Sequence, residues 1–400
     1  YNDRIYQWNW EFGNGNTSGL KNPAIKYLTD TTFNVKLKVL NVAGCADSIV
    51  KQITIYSHAK PDFTFTNVCD KSRMFFVNFT TSKQVVTGVE WQFGDGDTSM
   101  HWSTDHLYNS IGNYNVQLKA VTEFGCIDSI SKTVTIYPNP KAGIAINSKG
   151  QCFRNNDFLL TDTTTIASGS ITSNWLTGDA GTSTSKSFNH TYKNTGRYYI
   201  QLISVSNFNC ADTLSDSVDV YEMPVAKFGI DKKVQCFNYN LFNFSDSSKI
   251  AVGSYTVKWL LGNGDTGTGT KFQYHYKDSG VYNTAVSVTS NFGCADTTYT
   301  QVNLLSMPGA FFTINDSIQC FKRHQFLYTG RNKSASYTWD FGDNYVNNGA
   351  NPVPYSYQKT GTYKVLLKQT NSNNCTDTFT STVVILHSPD ALFKITDSLQ

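Results

Sequence analysis

The sequence has little methionine, little proline and no long apolar run. Four of its 400 residues are Met and nine are Pro. No stretch approaches the roughly 18 consecutive apolar residues of a membrane span. Basic and acidic residues nearly balance, at 33 and 30, so the chain lacks the positive charge that binding to nucleic acid or an anionic membrane requires. A basic-then-apolar signal peptide is also missing at the start, as expected if residue 1 lies inside a repeat.

Helical periodicity is missing too, and a period of two takes its place. In residues 114–120 the apolar side chains of Tyr114, Val116, Leu118 and Ala120 alternate with polar ones. Aromatic residues are frequent (23 Tyr, 26 Phe and 7 Trp), and segments rich in Gly, Asn and Asp separate the alternating runs. This composition is typical of half-buried strands joined by polar turns. We therefore expect an all-β protein.

Three sequence features recur at a common spacing of 79–84 residues, which indicates tandem repeats. The first is a tryptophan that opens a Gly-rich turn: Trp10, Trp91, Trp175, Trp259 and Trp339. The second is a Cys-x-Asp element: Cys45 with Asp47, Cys126 with Asp128, Cys210 with Asp212, Cys294 with Asp296, and Cys375 with Asp377. The third is a proline at the predicted boundaries: Pro61, Pro140, Pro224, Pro308 and Pro389.

These features predict the domain boundaries. We number the repeats in chain order: the incomplete repeat 1 (1–58), then repeat 2 (59–140), repeat 3 (141–224), repeat 4 (225–308) and repeat 5 (309–388). Residues 389–400 begin a further repeat. Several short strands with one apolar face in about 80 residues predict a sandwich of two sheets in each repeat.

The repeat resembles the PKD domain family. The motifs that carry the resemblance are Trp-x-Phe-Gly-Asp at 91–95 and 339–343, His-x-Tyr at 106–108 and 190–192, and Gly-x-Tyr-x-Val-x-Leu at 112–118 and 361–367. Repeats 3 and 4 lack the Phe of the first motif. The resemblance implies a linear array of immunoglobulin-like β-sandwiches. In composition and in its Cys-x-Asp element the array is similar to giant surface proteins that Bacteroidetes-type bacteria export by the type IX system, including gliding-motility adhesins.

The nine cysteines fall into two series. The Cys-x-Asp series we call downstream; the upstream series is Cys69, Cys152, Cys236 and Cys320. We expect disulfides within each repeat, joining 69 to 126, 152 to 210, 236 to 294 and 320 to 375, with Cys45 left unpaired. The same spacing predicts a cysteine at position 401. Reduced cysteines in the core are the alternative, and no close Cys/His cluster suggests a metal site. Disulfides would place the chain outside the reducing cytosol.

Other recurring residues have structural explanations. We expect the five tryptophans to be core anchors, and the Cys-x-Asp aspartates to accept backbone N–H bonds at a turn. An inter-repeat cation site at these aspartates is the alternative. The Gly-Asp-Gly-Asp run at 94–97 invites a calcium site, but its charge is not kept in the other repeats, so turn geometry explains it better. His106 and His190 are replaced by Tyr in later repeats, which argues against acid–base catalysis. Trp102, in a polar loop, is a candidate exposed ligand contact.

We therefore predict no catalytic residue, cofactor or metal, and a non-enzymatic role. The leading hypothesis is a structural or adhesive stalk at the outer surface of a Gram-negative bacterium, which projects a binding tip and carries tension. Its partners would be neighbouring repeats, other surface proteins or extracellular polysaccharide, not nucleic acid. The alternative is a spacer or carbohydrate-binding module of a secreted polysaccharide- or protein-degrading enzyme.

Overall fold

Alternating apolar residues form the strands that the sequence predicts. In the computed structural model, which describes residues 4–330, 336–349 and 354–394, residues Gly112–Thr122 form one strand in which Val116, Leu118 and Ala120 are fully buried and the residues between them are partly exposed. Within the described ranges the one helical element is a 3₁₀ turn at Phe321–Arg323. No helix in this part of the chain has the length and apolar character to cross a bilayer. The all-β fold class is confirmed.

Repeats 1 and 2 contain twelve strands. In repeat 1 these are β1 (Ile5–Glu11), β2 (Thr17–Ser18), β3 (Thr32–Asn41) and β4 (Ala46–Thr54). In repeat 2 they are β5 (Phe63–Thr64), β6 (Val68–Cys69), β7 (Met74–Asn78), β8 (Val86–Gln92), β9 (Thr98–Ser99), β10 (Thr104–His106), β11 (Gly112–Thr122) and β12 (Ile127–Tyr137). Repeat 1 forms a single sheet of order β2-β1-β3-β4, whereas repeat 2 forms two sheets of orders β10-β7-β5 and β6-β12-β11-β8-β9.

Repeats 3 and 4 follow the pattern of repeat 2. The strands of repeat 3 are β13 (Ile144–Ile146), β14 (Gly150–Cys152), β15 (Phe158–Asp162), β16 (Ile171–Leu176), β17 (Thr182–Ser183), β18 (Ser187–His190), β19 (Gly196–Ser206) and β20 (Ala211–Tyr221). Those of repeat 4 are β21 (Phe228–Ile230), β22 (Val234–Cys236), β23 (Phe242–Asp246), β24 (Tyr255–Leu260), β25 (Thr266–Thr268), β26 (Lys271–Tyr274), β27 (Gly280–Ser290) and β28 (Ala295–Leu305). In repeat 4 the sheet orders are β21-β23-β26 and β22-β28-β27-β24-β25.

The described strands of repeat 5 are β29 (Phe312–Ile314), β30 (Ile318–Cys320), β31 (Tyr328–Gly330), β32 (Ser336–Asp340), β33 (Val346–Asn347), β34 (Gly361–Thr370) and β35 (Thr376–Leu386). They form sheets of orders β29-β31 and β30-β35-β34-β32-β33. Of residues 389–400, which we expect to begin a further repeat, residues 395–400 lie outside the described residues. The repeat boundaries themselves stay a prediction.

The chain divides into two compact units. The first consists of the described residues up to Lys149 with Phe158–His190 and Tyr198–Val218. The second consists of Gly150–Asp157, Thr191–Arg197 and the described residues from Asp219 onward. Repeat 2 lies in the first unit, and repeats 4 and 5 lie in the second.

Repeats 2, 4 and 5 each bury an aromatic core. In repeat 2 the core includes Phe63, Phe76, Trp91 and Leu118, each at most 1% exposed. Repeats 4 and 5 have cores of the same kind, around Trp259 and Trp339. The core fixes the positions of the long final hairpin, β11–β12 in repeat 2, whose two ends carry the features described below.

Parallel pairing with the last strand of each repeat fixes the position of the upstream cysteine. Strand β6 runs parallel to the end of β12 and places Cys69 opposite Tyr137. In the same way β14, β22 and β30 pair with β20, β28 and β35, so that Cys152 lies opposite Tyr221, Cys236 opposite Leu305, and Cys320 opposite Leu386. The downstream cysteine lies in the turn before the last strand. The two cysteines of a repeat are therefore at opposite ends of one long strand.

Candidate functional site: the disulfide-bonded junctions between repeats

Three disulfides join consecutive repeats: repeat 2 to repeat 3, repeat 3 to repeat 4, and repeat 4 to repeat 5. Their pairs are Cys69–Cys210, Cys152–Cys294 and Cys236–Cys375, with Cα–Cα distances of 5.5–5.7 Å and sequence separations of 139–142 residues. In every case an upstream cysteine bonds to the downstream cysteine of the following repeat. Each bond lies within one of the two compact units. The three downstream partners, Cys210, Cys294 and Cys375, are buried.

The expected pairing within repeats (69–126, 152–210, 236–294 and 320–375) is wrong. The last strand of repeat 2, β12, has 11 residues and separates Cys126 at its start from Cys69 beside its end. At about 3.4 Å per residue the strand holds these two cysteines roughly 35 Å apart, whereas a disulfide needs Cα atoms within about 7 Å. The same geometry excludes the other three expected pairs and brings cysteines of consecutive repeats together instead.

Three cysteines carry free thiols: Cys45, Cys126 and Cys320. We expected Cys126 and Cys320 to be bonded, and the structure corrects this. Cys45 and Cys320 are exposed and Cys126 is partly buried. Cys126 occupies the same turn position as the bonded downstream cysteines, and Cys320 the same strand end as the bonded upstream ones. The three thiols therefore have the local geometry of bridge positions.

A short polar side chain builds the turn around each downstream cysteine. The hydroxyl of Ser206 accepts the N–H of Cys210 at 3.1 Å, and the amide oxygen of Asn371 accepts the N–H of Cys375 at 3.0 Å. The residue before the cysteine has positive φ, 62° at Asn209 and 82° at Gly293, which only Gly and short polar residues adopt readily. This local chemistry holds the cysteine in a fixed orientation at the end of the repeat.

A stacked pair of aromatic rings accompanies three of the junctions. Tyr137 at the end of repeat 2 stacks on Phe208 of repeat 3, with ring centroids 4.3 Å apart and planes 5° apart. Tyr221 stacks on Phe292 in the same way, at 4.3 Å and 7°. Tyr56 and Phe124 form a further stack at 3.5 Å. Sequence reasoning missed these pairs, although a Phe two residues before the downstream cysteine and a Tyr at the strand end recur at the repeat spacing.

The aspartate of Cys-x-Asp ties the segment that enters its repeat to the last hairpin. Asp212 accepts the N–H of Ala142 at 2.8 Å and the N–H of Thr213 at 2.9 Å. Asp296 and Asp377 bind Ala226 and Ala310 in the same way, at 2.9 and 2.8 Å. Asp47 and Asp128 cap the N–H of the residue that follows them, Ser48 and Ser129. These contacts are backbone hydrogen bonds at a turn.

Asp296 also makes an ion pair across a junction. Arg154 of repeat 3 lies 3.3 Å from its carboxylate. The hydrogen bond from the Ala226 N–H, then that from Arg154, outweigh burial and lower the pKa of Asp296 below its usual value of 3.8. The carboxylate is therefore ionised at neutral pH and holds both the turn and the neighbouring repeat.

The tryptophans anchor the sheets from within. Trp91, Trp175, Trp259 and Trp339 are at most 1% exposed. Each donates its indole N–H to the carbonyl ten residues later; for Trp91 the acceptor is His101, at 2.9 Å. Trp10 makes the same bond, to Leu20 at 3.1 Å, but is only partly buried. Trp102 is 49% exposed and lies outside the core.

The turn at Asp95 contains the candidate calcium site of residues 94–97. Among the described residues Asp95, Asp97 and His106 form the group whose donor atoms lie within 4.8 Å of one another. Asp95 is already bonded to His106 Nε2 at 2.7 Å and to the N–H of Asp97 at 3.1 Å. Burial raises its pKa, but the His106 and backbone hydrogen bonds outweigh this, and the pKa lies below 3.8. These bonds account for the cluster as a turn.

The position of His106 keeps one hydrogen bond in every complete repeat. His190 bonds Asp179 at 2.9 Å, Tyr274 bonds Asp265, and Tyr355 bonds Asp343 at 2.6 Å. His and Tyr share only a planar ring with one polar tip. The feature common to these repeats is therefore a side chain that hydrogen-bonds to the aspartate of the turn.

Tandem two-sheet β-sandwiches with an aromatic core define an immunoglobulin-like repeat protein. The sequence model of the PKD domain matches residues 59–137, 221–303 and 316–386, more than half of the chain, and the chain belongs to this family. The resemblance drawn from the sequence motifs is thereby confirmed as far as tandem PKD domains.

Several known proteins are similar to parts of the chain. A microbial collagenase from Vibrio alginolyticus is 27% identical over 145 residues, which are 34% of this chain and 18% of the collagenase. The PKD1 domain of the Vibrio cholerae metalloprotease PrtV is 26% identical, with a TM-score of 0.19, over 20% of this chain and 96% of that domain. The D1–D4 fragment of ICAM-5 is 10% identical, with a TM-score of 0.40, over 82% of this chain and all of that fragment.

Proposed function

We propose that the chain is a non-enzymatic, tension-bearing segment of a stalk on an extracellular surface protein. The observation that carries the proposal is that the three disulfide loops overlap along the sequence. Disulfides persist in oxidising compartments outside the cytosol. The PKD repeats, the Asn/Thr-rich composition and the Cys-x-Asp element support the outer surface of a Gram-negative, Bacteroidetes-type cell, with type IX export and a role in adhesion or gliding.

Overlapping loops give the chain a short covalent route. A force applied across the repeats passes from Cys69 through its disulfide to Cys210, along the backbone to Cys236, and through the next disulfide to Cys375. Only about 26 residues of backbone lie on this route. At about 3.5 Å per residue they extend to roughly 90 Å, and the two bridges bring the total to about 100 Å. The remaining backbone between Cys69 and Cys375 is bypassed.

Other arrangements would extend much further. With disulfides within repeats the same stretch would contain three free segments, together about 80 residues, and would reach about 300 Å. Fully reduced, the roughly 306 residues would reach about 1,070 Å. The observed pairing therefore limits extension more strongly than any within-repeat pairing does, even when every repeat is unfolded. A segment that transmits pulling force to a distal tip needs this property.

Contacts at the junctions support the same role. Each aromatic stack, such as Tyr221 on Phe292, adds about 0.5–1.5 kcal/mol beyond area burial. The ion pair of Arg154 with Asp296 joins the same two repeats. These contacts resist movement of one repeat against the next before any covalent limit is reached.

A second candidate is a spacer in a secreted degradative enzyme. The similarity to part of a microbial collagenase favours it. PKD domains in such a setting would hold a catalytic domain at a distance from its anchor or would bind polysaccharide. Neither task requires a covalent limit on extension, and for this reason we place the stalk first.

Single-molecule pulling of the 400-residue chain tests the proposal. The oxidised chain should release about 280 fewer residues of backbone than the reduced chain, roughly 980 Å of contour length. The variant Cys69→Ser/Cys210→Ser opens the short route, so that the shortest remaining path between residues 69 and 375 has about 141 residues. It should gain about 115 residues, or roughly 400 Å, over the oxidised wild type.

The matched control is Cys126→Ser/Cys320→Ser, which removes two free thiols. It should extend no further than the wild type. A gain in the control, or equal contour lengths of oxidised and reduced wild type, would reject the tension-bearing role.

A further inference from the structure

Repeat 2 carries a row of apolar side chains on the outer face of its three-stranded sheet. Along β7 every second side chain is buried in the core. The side chains between them, Phe75 and Val77, and the next in this series, Phe79, are 67%, 45% and 54% exposed. At about 3.4 Å per residue the row extends over roughly 14 Å. We call these three residues the exposed strip of repeat 2.

The aromatic residues of the strip are particular to repeat 2, whereas the exposure of the face is not. The counterpart of Phe79 is Thr163 in repeat 3 and Ser247 in repeat 4, and both are exposed. Each of these two repeats follows a complete repeat, so the position faces solvent within the array. The counterparts of Phe75 are Leu159, Asn243 and Leu327. Two exposed phenylalanines on one such face therefore call for a ligand.

The charges beside the strip cancel in pairs. On one side Asp105 of β10 lies opposite Phe75 and forms an ion pair with Arg73. On the other side Asp62 precedes β5 and lies 2.7 Å from the Nζ of Lys132. These pairs offer no unpaired charge to an acidic or basic partner. The charge around the strip is complementary to a neutral ligand.

The area of the strip argues against a protein partner. The exposed parts of its three side chains amount to roughly 300 Å². A stable protein–protein interface buries about 800 Å² on each partner, so the strip is too small to hold a second copy of this chain. An apolar patch of this size on a single protein is often functional, and it fits a ligand smaller than a protein surface.

The chemistry of the strip matches that of sugar rings. The face of a phenylalanine ring carries partial negative charge and attracts the polarised C–H groups on the apolar face of a pyranose. Hydroxyl groups lie beside the rings: Thr64 pairs with Val77, and the Oγ of Ser103 accepts the N–H of Asn78 at 3.1 Å. The residue next to Ser103 is Trp102, the exposed tryptophan that the sequence singled out.

We infer that the exposed strip is a binding site for a neutral, extended polysaccharide. Its sugar rings stack on Phe75 and Phe79, and its hydroxyl groups bond to Thr64 and Ser103. A straight β-strand on an open sheet face suits an extended glycan chain, since both keep one direction over several residues. The inference rests on the extracellular, adhesive role proposed above, and it assigns a glycan contact to repeat 2 of the stalk itself.

Affinity electrophoresis of the intact, oxidised 400-residue protein tests the site. Native gels contain either hydroxyethyl cellulose or konjac glucomannan, which are both neutral and β-1,4-linked, and gels without polysaccharide give the reference mobility. Both polysaccharides should retard the wild type. The variant Phe75→Ser/Phe79→Ser should bind on the order of tenfold more weakly or less, because it removes both stacking rings. Both positions are exposed, so its melting temperature should equal that of the wild type.

Three further variants separate ring stacking from apolar character. Phe75→Tyr/Phe79→Tyr keeps both ring faces and should bind like the wild type. Phe75→Leu/Phe79→Leu stays apolar without a ring and should bind as weakly as the serine variant. Leu159→Ser/Leu327→Ser is the matched control, because it removes exposed apolar side chains from the same face of repeats 3 and 5. It should leave the retardation unchanged.

The inference would be overturned if neither neutral polysaccharide retarded the wild type, or if the serine or leucine variant were retarded equally. Retardation by alginate alone, a polyanion, would point to charge instead. Self-association in sedimentation that is lost in the serine variant would make a second copy the occupant. None of these results changes the contour lengths in the pulling experiment, which depend on the disulfides, so the tension-bearing role and the glycan site fail separately.

Discussion

At the scale of single residues, the Cys-x-Asp aspartate does different work in different repeats. Lys60, Lys141 and Val225 each form an isolated β-bridge within their own repeat and therefore occupy equivalent positions. The residues that follow them, Pro61, Ala142 and Ala226, are equivalent as well. Ala142 and Ala226 donate their N–H groups to Asp212 and Asp296. Pro61 has no N–H to donate to Asp128. The Cys-x-Asp aspartate is thus present in all of these repeats, but its hydrogen bonds differ between repeat 2 and repeats 3 and 4.

This difference predicts unequal effects of removing the carboxylate. Asp296→Ala should lower stability by about 1–3 kcal/mol at pH 7, because it leaves the Ala226 N–H and Arg154 without their acceptor. Asp128→Ala is the matched control and should have a smaller effect. Urea midpoints of unfolding measure both. Equal losses would contradict this account of the motif.

The Asp296 effect should depend on pH in a definite direction. The pKa of Asp296 is lowered in the folded protein, so its contribution is fully present above its usual pKa of 3.8. The contribution is lost as the pH falls through the lowered folded value. The difference between wild type and Asp296→Ala should therefore be largest near neutral pH and shrink in strong acid. A difference that grows on acidification would have the wrong sign.

At the scale of strands, most of the fold could be predicted from the sequence, but few of the contacts at the junctions between repeats could. The alternation at 114–120 and the recurring tryptophans predicted strand β11 and the core around Trp91. The aromatic stacks were not predicted, because a Phe beside Gly is an ordinary turn residue until a partner from the next repeat is known. Residues 123–125, for example, suggest only a turn.

The stack of Tyr221 on Phe292 should be energetically coupled. In a double-mutant cycle with Tyr221→Ala and Phe292→Ala, the two losses of stability should be non-additive by about 0.5–1.5 kcal/mol. Leu305 and Asn373 occupy the equivalent places at the next junction. The cycle Leu305→Ala with Asn373→Ala is the matched control and should show weaker coupling. Additive losses at Tyr221 and Phe292 would show that the two rings are not energetically coupled.

At the scale of the whole molecule, the sequence alone could not predict which cysteines pair. The upstream and downstream cysteines recur with the same period. Pairing within a repeat and pairing with the next repeat would therefore both be regular along the chain, and the spacing does not distinguish them. The direction of β6 decides between them, since parallel pairing with β12 carries Cys69 to the far end of the repeat. Such parallel pairing of a two-residue strand leaves no sequence signal.

Reduction should destabilise the chain substantially. Each loop of 139–142 residues contributes up to about 5 kcal/mol in the chain-entropy model, with less than the full sum because the loops overlap. Thermal melts with and without reductant should show a clear fall in melting temperature. Alkylating the free thiols without reductant is the control and should leave the melt unchanged. A melt insensitive to reduction would show that the bridges constrain the unfolded chain little.

The overlap of the three loops also governs what a protease can do to the chain. Every peptide bond between Cys69 and Cys375 lies inside at least one disulfide loop. One cut anywhere in this stretch therefore leaves a single molecule, whose two ends remain covalently joined. On a non-reducing gel the nicked chain would stay one species and would separate into pieces only after reduction. Damage at one exposed turn would not release whatever the far end of the chain holds.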